Sequence, residues 1–240
     1  MIELRFAAEL RSFLARRHRD SRVRVDYDGT SSLGHVVESL GVPRTEVGGL
    51  AVDGHPVAPA YRPRPAELVT VTAPTRPQAL PTSPPRLVLD VHLGTLARRM
   101  RLLGLDTAYR NDADDDELVE QAIAERRMLL TQDRALLRRR ALPSGAYVRG
   151  SRPADQLHDV LNRFALSLSP YTRCTVCNAT LAVVAKAEVS PLLQPGTRRS
   201  YRQFRRCTGC GQVFWRGAHA GGLDRILAGS SAAACGRIEA

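Results

Sequence analysis

Apolar and polar positions alternate at Ile2, Leu4 and Phe6 and again at Val23, Val25 and Tyr27, the period of half-buried strands. Leu33, Val36, Val37 and Leu40 recur at helical spacing, and Gly41 followed by Pro43 stops that helix. Leu50-Ala51-Val52 and Val57 flank Asp53-Gly54, a hairpin signal, and Leu68 to Thr72 alternates once more. The pattern then breaks across residues 76–86, whose prolines and small polar residues predict an extended linker. Beyond it, Leu87-Val88-Leu89 is wholly apolar, as in a strand buried on both faces of a parallel sheet. Leu93, Leu96, Met100 and Leu103 follow at helical spacing and Gly104 closes the helix. Thr107-Ala108-Tyr109, Met128 to Thr131 and Ala146-Tyr147-Val148 predict three more strands. Between and after them lie helices with Leu118, Val119, Ala122 and Ile123, then Leu157, Val160, Leu161 and Phe164, turned inward. Strands alternating with helices predict an α/β domain around a parallel sheet. The expected organisation is 1–75, a linker at 76–86, 87–170, a cysteine-bearing segment at 171–220 and a tail at 221–240.

At 240 residues, 43% of them hydrophobic, the chain can bury two or three small cores. Runs of about 18 apolar residues are absent, which argues against a transmembrane helix. The N-terminus lacks the charged-then-apolar order of a secretory signal, so a soluble cytoplasmic protein is expected. Residues 171–240 hold 10 basic and 3 acidic residues, and so carry +7 of the net +11. That excess predicts a polyanion partner, although a merely solvated basic surface would have the same composition.

Carboxylates are the first candidates for chemistry. Asp90 follows the first strand of the α/β segment and Asp133 stands two residues past Thr131, at the carboxyl ends where open parallel sheets place their sites. Asp115 and Asp116 begin a helix whose start faces the same edge. Acids converging from three elements repel one another and call for a hard cation, Mg²⁺ or Mn²⁺, which can activate water for phosphodiester hydrolysis. Each acid also has a structural alternative: Asp115, Asp116 or Asp133 as a helix cap, and Asp90 as a partner of Arg98 or Arg101.

Cys174, Cys177, Cys207 and Cys210 form two Cys-x-x-Cys pairs, which predict a closed, structural Zn²⁺ site in a zinc ribbon. Asn178 and Gly211 each follow a pair and tolerate the left-handed backbone that turns N–H groups toward sulfur. Between the pairs, Arg202, Arg205 and Arg206 interleave with Tyr201 and Phe204, a pattern that can clamp phosphates and stack on unpaired bases. The aromatics equally fit a small ribbon core, and Trp215 is expected there. His219 is a further candidate RNA contact.

Asp90-Val91-His92-Leu93-Gly94-Thr95-Leu96 with Arg98, Met100, Arg101 and Gly104, then Asp115-x-x-Leu118-x-x-x-Ala122 and Leu129-Leu130-Thr131-Gln132-Asp133, resemble the Mut-seven C-terminal (Mut-C) RNase domains. The two cysteine pairs and Phe214-Trp215-x-Gly217-x-His219 match the same family's ribbon. The resemblance implies a PIN-like, metal-dependent ribonuclease with Asp90, Asp115 and Asp133 as metal ligands and RNA as substrate. Where PIN-like relatives often carry a further acid after Asp133, this chain has Ala135, Leu136 and Leu137. The order strand, strand, helix, strand, strand in residues 1–75 resembles the β-grasp fold of ubiquitin and the ThiS/MoaD sulfur carriers, which implies a protein partner for that domain. Carriers end in a free Gly-Gly, whereas here Thr72-Ala73-Pro74 runs on into further chain. A catalytically silent RNA-binding protein and a ubiquitin-like adaptor are the alternatives to a nuclease.

Overall fold

The computed structural model describes residues 1–19 and 22–217, which form three sheets of five, four and three strands. The first comprises β1 (Ile2–Phe6), β2 (Val23–Val25), β3 (Gly49–Val52), β4 (His55–Pro56) and β5 (Leu68–Thr72), in the order β2-β1-β5-β3-β4. Its central pair, β1 and β5, is parallel and the other pairs are antiparallel. Helix α1 (Leu33–Ser39) starts on a Ser32 side chain that accepts from the His35 N–H, and buries Leu33, Val36 and Val37 against the sheet. Asp53 and Gly54 both take positive φ, 47° and 84°, as a two-residue hairpin turn requires. This is a ubiquitin-like β-grasp domain. The periodicity gave no sign of the 3-10 turn over Ala8–Phe13, which nevertheless supplies Leu10 and Phe13 to the core.

The second sheet is parallel throughout and ordered β7-β6-β8-β9. In chain order its elements are β6 (Arg86–Leu89), α2 (Gly94–Leu102), β7 (Asp106–Tyr109), α3 (Asp115–Ala124), β8 (Met128–Thr131), α4 (Arg134–Leu137), β9 (Gly145–Tyr147) and α5 (Pro153–Phe164). Helices cover both faces, which is why β6 and β8 read as continuous apolar runs. Leu87, Leu89 and Leu130 pack with α2 and α5. Val88 and Leu129 pack with α3 and α4 on the other side. Gly104 ends α2 at φ +85°, where a Cβ would meet the Ser169 carbonyl, so glycine is required for the chain to return there.

The third sheet, β10 (Leu181–Val184), β11 (Phe204–Cys207) and β12 (Val213–Trp215), is antiparallel. Two short helices, α6 (Lys186–Val189) and α7 (Pro195–Ser200), lie between its first two strands.

Residues 76–86 join the first two sheets but do not hang free as their composition suggested. Gln78 donates its N–H to the Arg163 carbonyl (2.7 Å) and accepts from Arg163 Nε (2.7 Å), while Arg76 pairs with Asp159 and Leu80 packs on the α2/α5 core. The β-grasp domain is also held directly. Glu46, buried, accepts from the Tyr147 N–H (2.7 Å) and from Arg163 Nη1 (3.1 Å). Phe13 meets Tyr147 edge-on at 5.1 Å, and Arg134 donates to the Ser12 and Phe13 carbonyls.

Candidate functional site

Asp90 leaves β6 at its carboxyl end and is 4% exposed. The neighbouring strand β8 ends in Thr131, whose hydroxyl donates to Asp90 Oδ2 at 2.5 Å. The same hydroxyl oxygen accepts the Asp133 N–H at 2.8 Å. Asp133 then caps α4 by taking the Ala135 N–H on Oδ1 (2.6 Å). One threonine thus fixes two acids at the ends of adjacent parallel strands, where the sequence placed them. Thr131 itself carried no predicted role; a hydroxyl closing the otherwise apolar run Met128-Leu129-Leu130 was the available signal.

The remaining acids sit differently. Asp114, rather than Asp115 or Asp116, is the cap of α3, in a reciprocal capping box with Glu117. Asp115 and Asp116 occupy the first turn, and Arg139 reaches both, at 3.6 and 2.8 Å. Among the described residues, the four cysteines alone form a group of three or more potential ligands whose atoms all lie within 4.8 Å of one another. Asp90, Asp115 and Asp133 therefore do not close to that spacing. Arg101, considered above as a partner for Asp90, is committed elsewhere. Buried, it donates to the Thr107 carbonyl (2.8 Å) and to the Thr175 and Val176 carbonyls (3.3 and 2.8 Å). Burial draws its pKa below the ordinary value.

The cysteine cluster is compact. Cys174 Sγ lies 3.7 Å from Cys210 Sγ, and Cys177 Sγ lies 3.3 Å from Cys207 Sγ. Four sulfurs at about 2.3 Å from one tetrahedral ion would stand roughly 3.8 Å apart, close to what is found. Asn178 and Gly211 take φ of +68° and +76°, as their places after each pair predicted. Burial pushes the Cys174 thiol up to about 12. Cys207 is also desolvated, but the Cys210 and Gly209 N–H groups, each 3.4 Å from its sulfur, bring it down to about 6. The cluster is welded to the α/β domain by Asn178, which accepts from the Thr107 N–H (3.0 Å) and donates to Asp106 (2.8 Å). Burial alone would raise the Asp106 carboxyl. Hydrogen bonds from Arg127 and Asn178, with the charges of Arg127 and Arg173, hold it below its ordinary value instead.

The three arginines expected to clamp phosphates do not form one set. Arg202 and Arg205 line a groove of about 480 Å³, whereas exposed Arg206 donates to the Gly211 carbonyl beside the second cysteine pair. Adjacent residues of a strand point to opposite faces, so Arg205 and Arg206 part company. Trp215, expected in the core, is 40% exposed and lies on the same groove. His219 falls outside the described residues.

A parallel α/β domain with paired acids at adjacent strand ends, a β-grasp domain before it and a four-cysteine cluster after it define the class of protein. Residues 85–227 match the family model described as the Mut7-C RNAse domain, and residues 1–79 match the one described as Mut7-C ubiquitin. The first match covers more than half of the chain, which belongs to the Mut7-C RNAse domain family. Among solved structures, SAMP1 from Haloferax volcanii is similar at 17% identity and a TM-score of 0.26, over 31% of this chain and 96% of that one. No curated protein matches the chain. No helix among the described residues is long and apolar enough to cross a membrane.

Proposed function

We propose that the protein is a cytoplasmic ribonuclease that hydrolyses RNA phosphodiester bonds with Mg²⁺ or Mn²⁺ in a PIN-like α/β domain. The array Asp90–Thr131–Asp133 supports this most. A buried carboxylate is costly unless compensated, and here one hydroxyl meets it while a second acid is held beside it. The donor chemistry fits a hard cation: carboxylate oxygens are its preferred ligands, and Asp90 Oδ1 and Asp133 Oδ2 stand outside the hydrogen bonds above. Asp90 and Asp133 would hold the ion, joined by Asp115, with Asp116 as an additional acid, once these two part from Arg139. Bound there, it supplies an activated water and stabilises the developing negative charge on phosphate. Thr131 holds the acids in register, and burial of Asp90 keeps bulk water from that carboxylate.

The four cysteines, with no position left open for water, suit structural Zn²⁺ in a zinc ribbon that assists RNA binding. A protein partner of the β-grasp domain would approach a surface other than the one already closed by Glu46 and Phe13. The alternative, an RNA-binding protein without catalysis, draws on the structural roles that Asp133 and Asp116 fill as cap and ion-pair partner.

Cleavage of single-stranded RNA by the full chain, with and without Mn²⁺, and by Asp90→Asn separates them. Metal-dependent cleavage lost in Asp90→Asn, with metal-free stability held or slightly raised, is expected for a ligand whose neighbour is another acid. A wild-type chain that cleaves nothing under any divalent condition, with Asp90→Asn destabilised, puts the silent binder first.

A further inference from the structure

We propose that the groove on the cysteine-bearing sheet binds an unpaired RNA strand, with a base stacked on Trp215 and phosphates met by Lys186, Arg202 and Arg205. This deepens the reading that RNA is the substrate, and it concerns how the strand is held rather than how it is cut.

Four observations carry it. First, no acid is among the described residues lining the groove, while Lys186, Arg202, Arg205 and Arg216 all are. Such a concavity attracts a polyanion. Second, the register sets Val183, Arg205 and Phe214 side by side on neighbouring strands. One sheet face therefore offers a cation between an aliphatic and an aromatic side chain, over a span of about 10 Å, while Trp215, next along β12, belongs with Phe204 to the opposite face, so that the groove is lined from both. Third, Val183 is 77% and Trp215 40% exposed, although Phe204 directly opposite Trp215 is buried. The sheet fills its core with Phe204 and leaves the larger aromatic at the surface. Fourth, Trp215 is held by Phe204 at 6.4 Å and Tyr201 at 6.3 Å, so a base can stack without first ordering a loose ring. Arg216 lies over the Tyr171 ring at 6.0 Å and extends the same surface.

An exposed indole beside arginines suits a base that is free to stack, and a duplex hides its base faces. An acidic protein would meet the cations but has no comparable use for the indole.

The chain's single tryptophan makes the test direct. The full-length chain carrying Asp90→Asn, without added divalent ions, is titrated with a 12-nucleotide oligouridylate and with an RNA duplex. Trp215 emission and the anisotropy of labelled RNA are read together. Saturable quenching by the single strand, with none from the duplex, is expected. Trp215→Ala is expected to weaken binding on the order of ten- to a hundredfold. Arg202→Ala with Arg205→Ala, both outside the core, is expected to flatten the log–log salt dependence by about 1.4, roughly 0.7 per phosphate. Arg206→Ala is expected to leave it unchanged.

RNA binding with unchanged Trp215 emission, equal quenching by duplex, or an unaltered salt slope in the double arginine variant overturns the proposal. Emission that shifts with protein concentration alone puts a second copy of the chain in the groove and overturns it too. Cleavage plays no part in the readout, so failure of the nuclease reading and failure of this one are separate results.

Discussion

Glu46→Met tests whether the β-grasp domain is welded to the nuclease-like domain or only tethered to it. Glu46 and Arg163 are 1% and 3% exposed, and they lie on segments 117 residues apart. Glu46 Oε1 and Oε2 stand 3.0 and 3.1 Å from the two terminal Arg163 nitrogens, and Oε1 also takes the Tyr147 N–H. Removing the acid leaves a guanidinium buried among the Gln78 side chain, the Tyr147 carbonyl and apolar neighbours. Breaking one side of such a pair costs about 3–5 kcal/mol. For a chain of this size each kcal/mol lowers the melting temperature by about 2–4 °C, so a drop of roughly 6–20 °C is expected. Glu46→Met with Arg163→Met is expected to recover most of it, because two apolar side chains of similar volume owe no desolvation. The assay is scanning calorimetry of the wild type, both single variants and the double. If each single change costs under about 1 kcal/mol and the two add without coupling, the pair is open to water and the domains move independently.

Elemental analysis should find one zinc per chain, and Cys177→Ser or Cys210→Ser, at the two exposed cysteines, should lose the metal and the near-ultraviolet signal of Trp215. Metal content unchanged in both variants refutes this. Thr131→Val should cost about 1–3 kcal/mol of metal-free stability and reduce cleavage, since one hydroxyl serves both acids; wild-type cleavage would show that their register does not matter. Asp106 titrates below its ordinary value when folded, so the stability it confers is complete above about pH 5 and fades below about pH 4. Asp106→Asn should therefore lose roughly 1.5–3 kcal/mol at neutral pH and converge with the wild type in acid. A gap independent of pH in urea titrations would place the effect elsewhere.

Local signals carried much of the fold. Alternation at Ile2, Leu4 and Phe6, and the apolar run Leu87 to Leu89, report burial on one face or on two, and the structure bears both out. The cysteine spacing was equally local, and the four sulfurs do meet. What could not be read were contacts between segments far apart in sequence. Glu46 has no neighbour in sequence that marks it as buried, because its partners are Tyr147 and Arg163. Residues 76–86 have the composition of a spacer, and composition does not distinguish an extended segment in water from one lying along α5. Arg202, Arg205 and Arg206 look equivalent as a run, and the pleat of β11 divides them. Arg101 looked available to Asp90 until the fold brought the Thr175 and Val176 carbonyls to it.

The two flanking modules do one further thing for the central sheet. Its order β7-β6-β8-β9 makes β7 and β9 the edges, and exposed edges with unpaired N–H groups invite pairing with other chains. On β7 the Thr107 N–H is taken by Asn178 of the cysteine module. On β9 the Tyr147 N–H is taken by Glu46 of the β-grasp domain. Each module thus blocks one edge with a side-chain acceptor and meets a buried arginine at the same point: Arg101 by the Thr175 and Val176 carbonyls, Arg163 by Glu46. Two of the three buried arginines of the four-stranded domain, Arg101 and Arg163, take part of their hydrogen bonding from outside it. The flanking modules are therefore part of what makes the acid-bearing sheet a stable unit, quite apart from any partner or nucleic acid they bind.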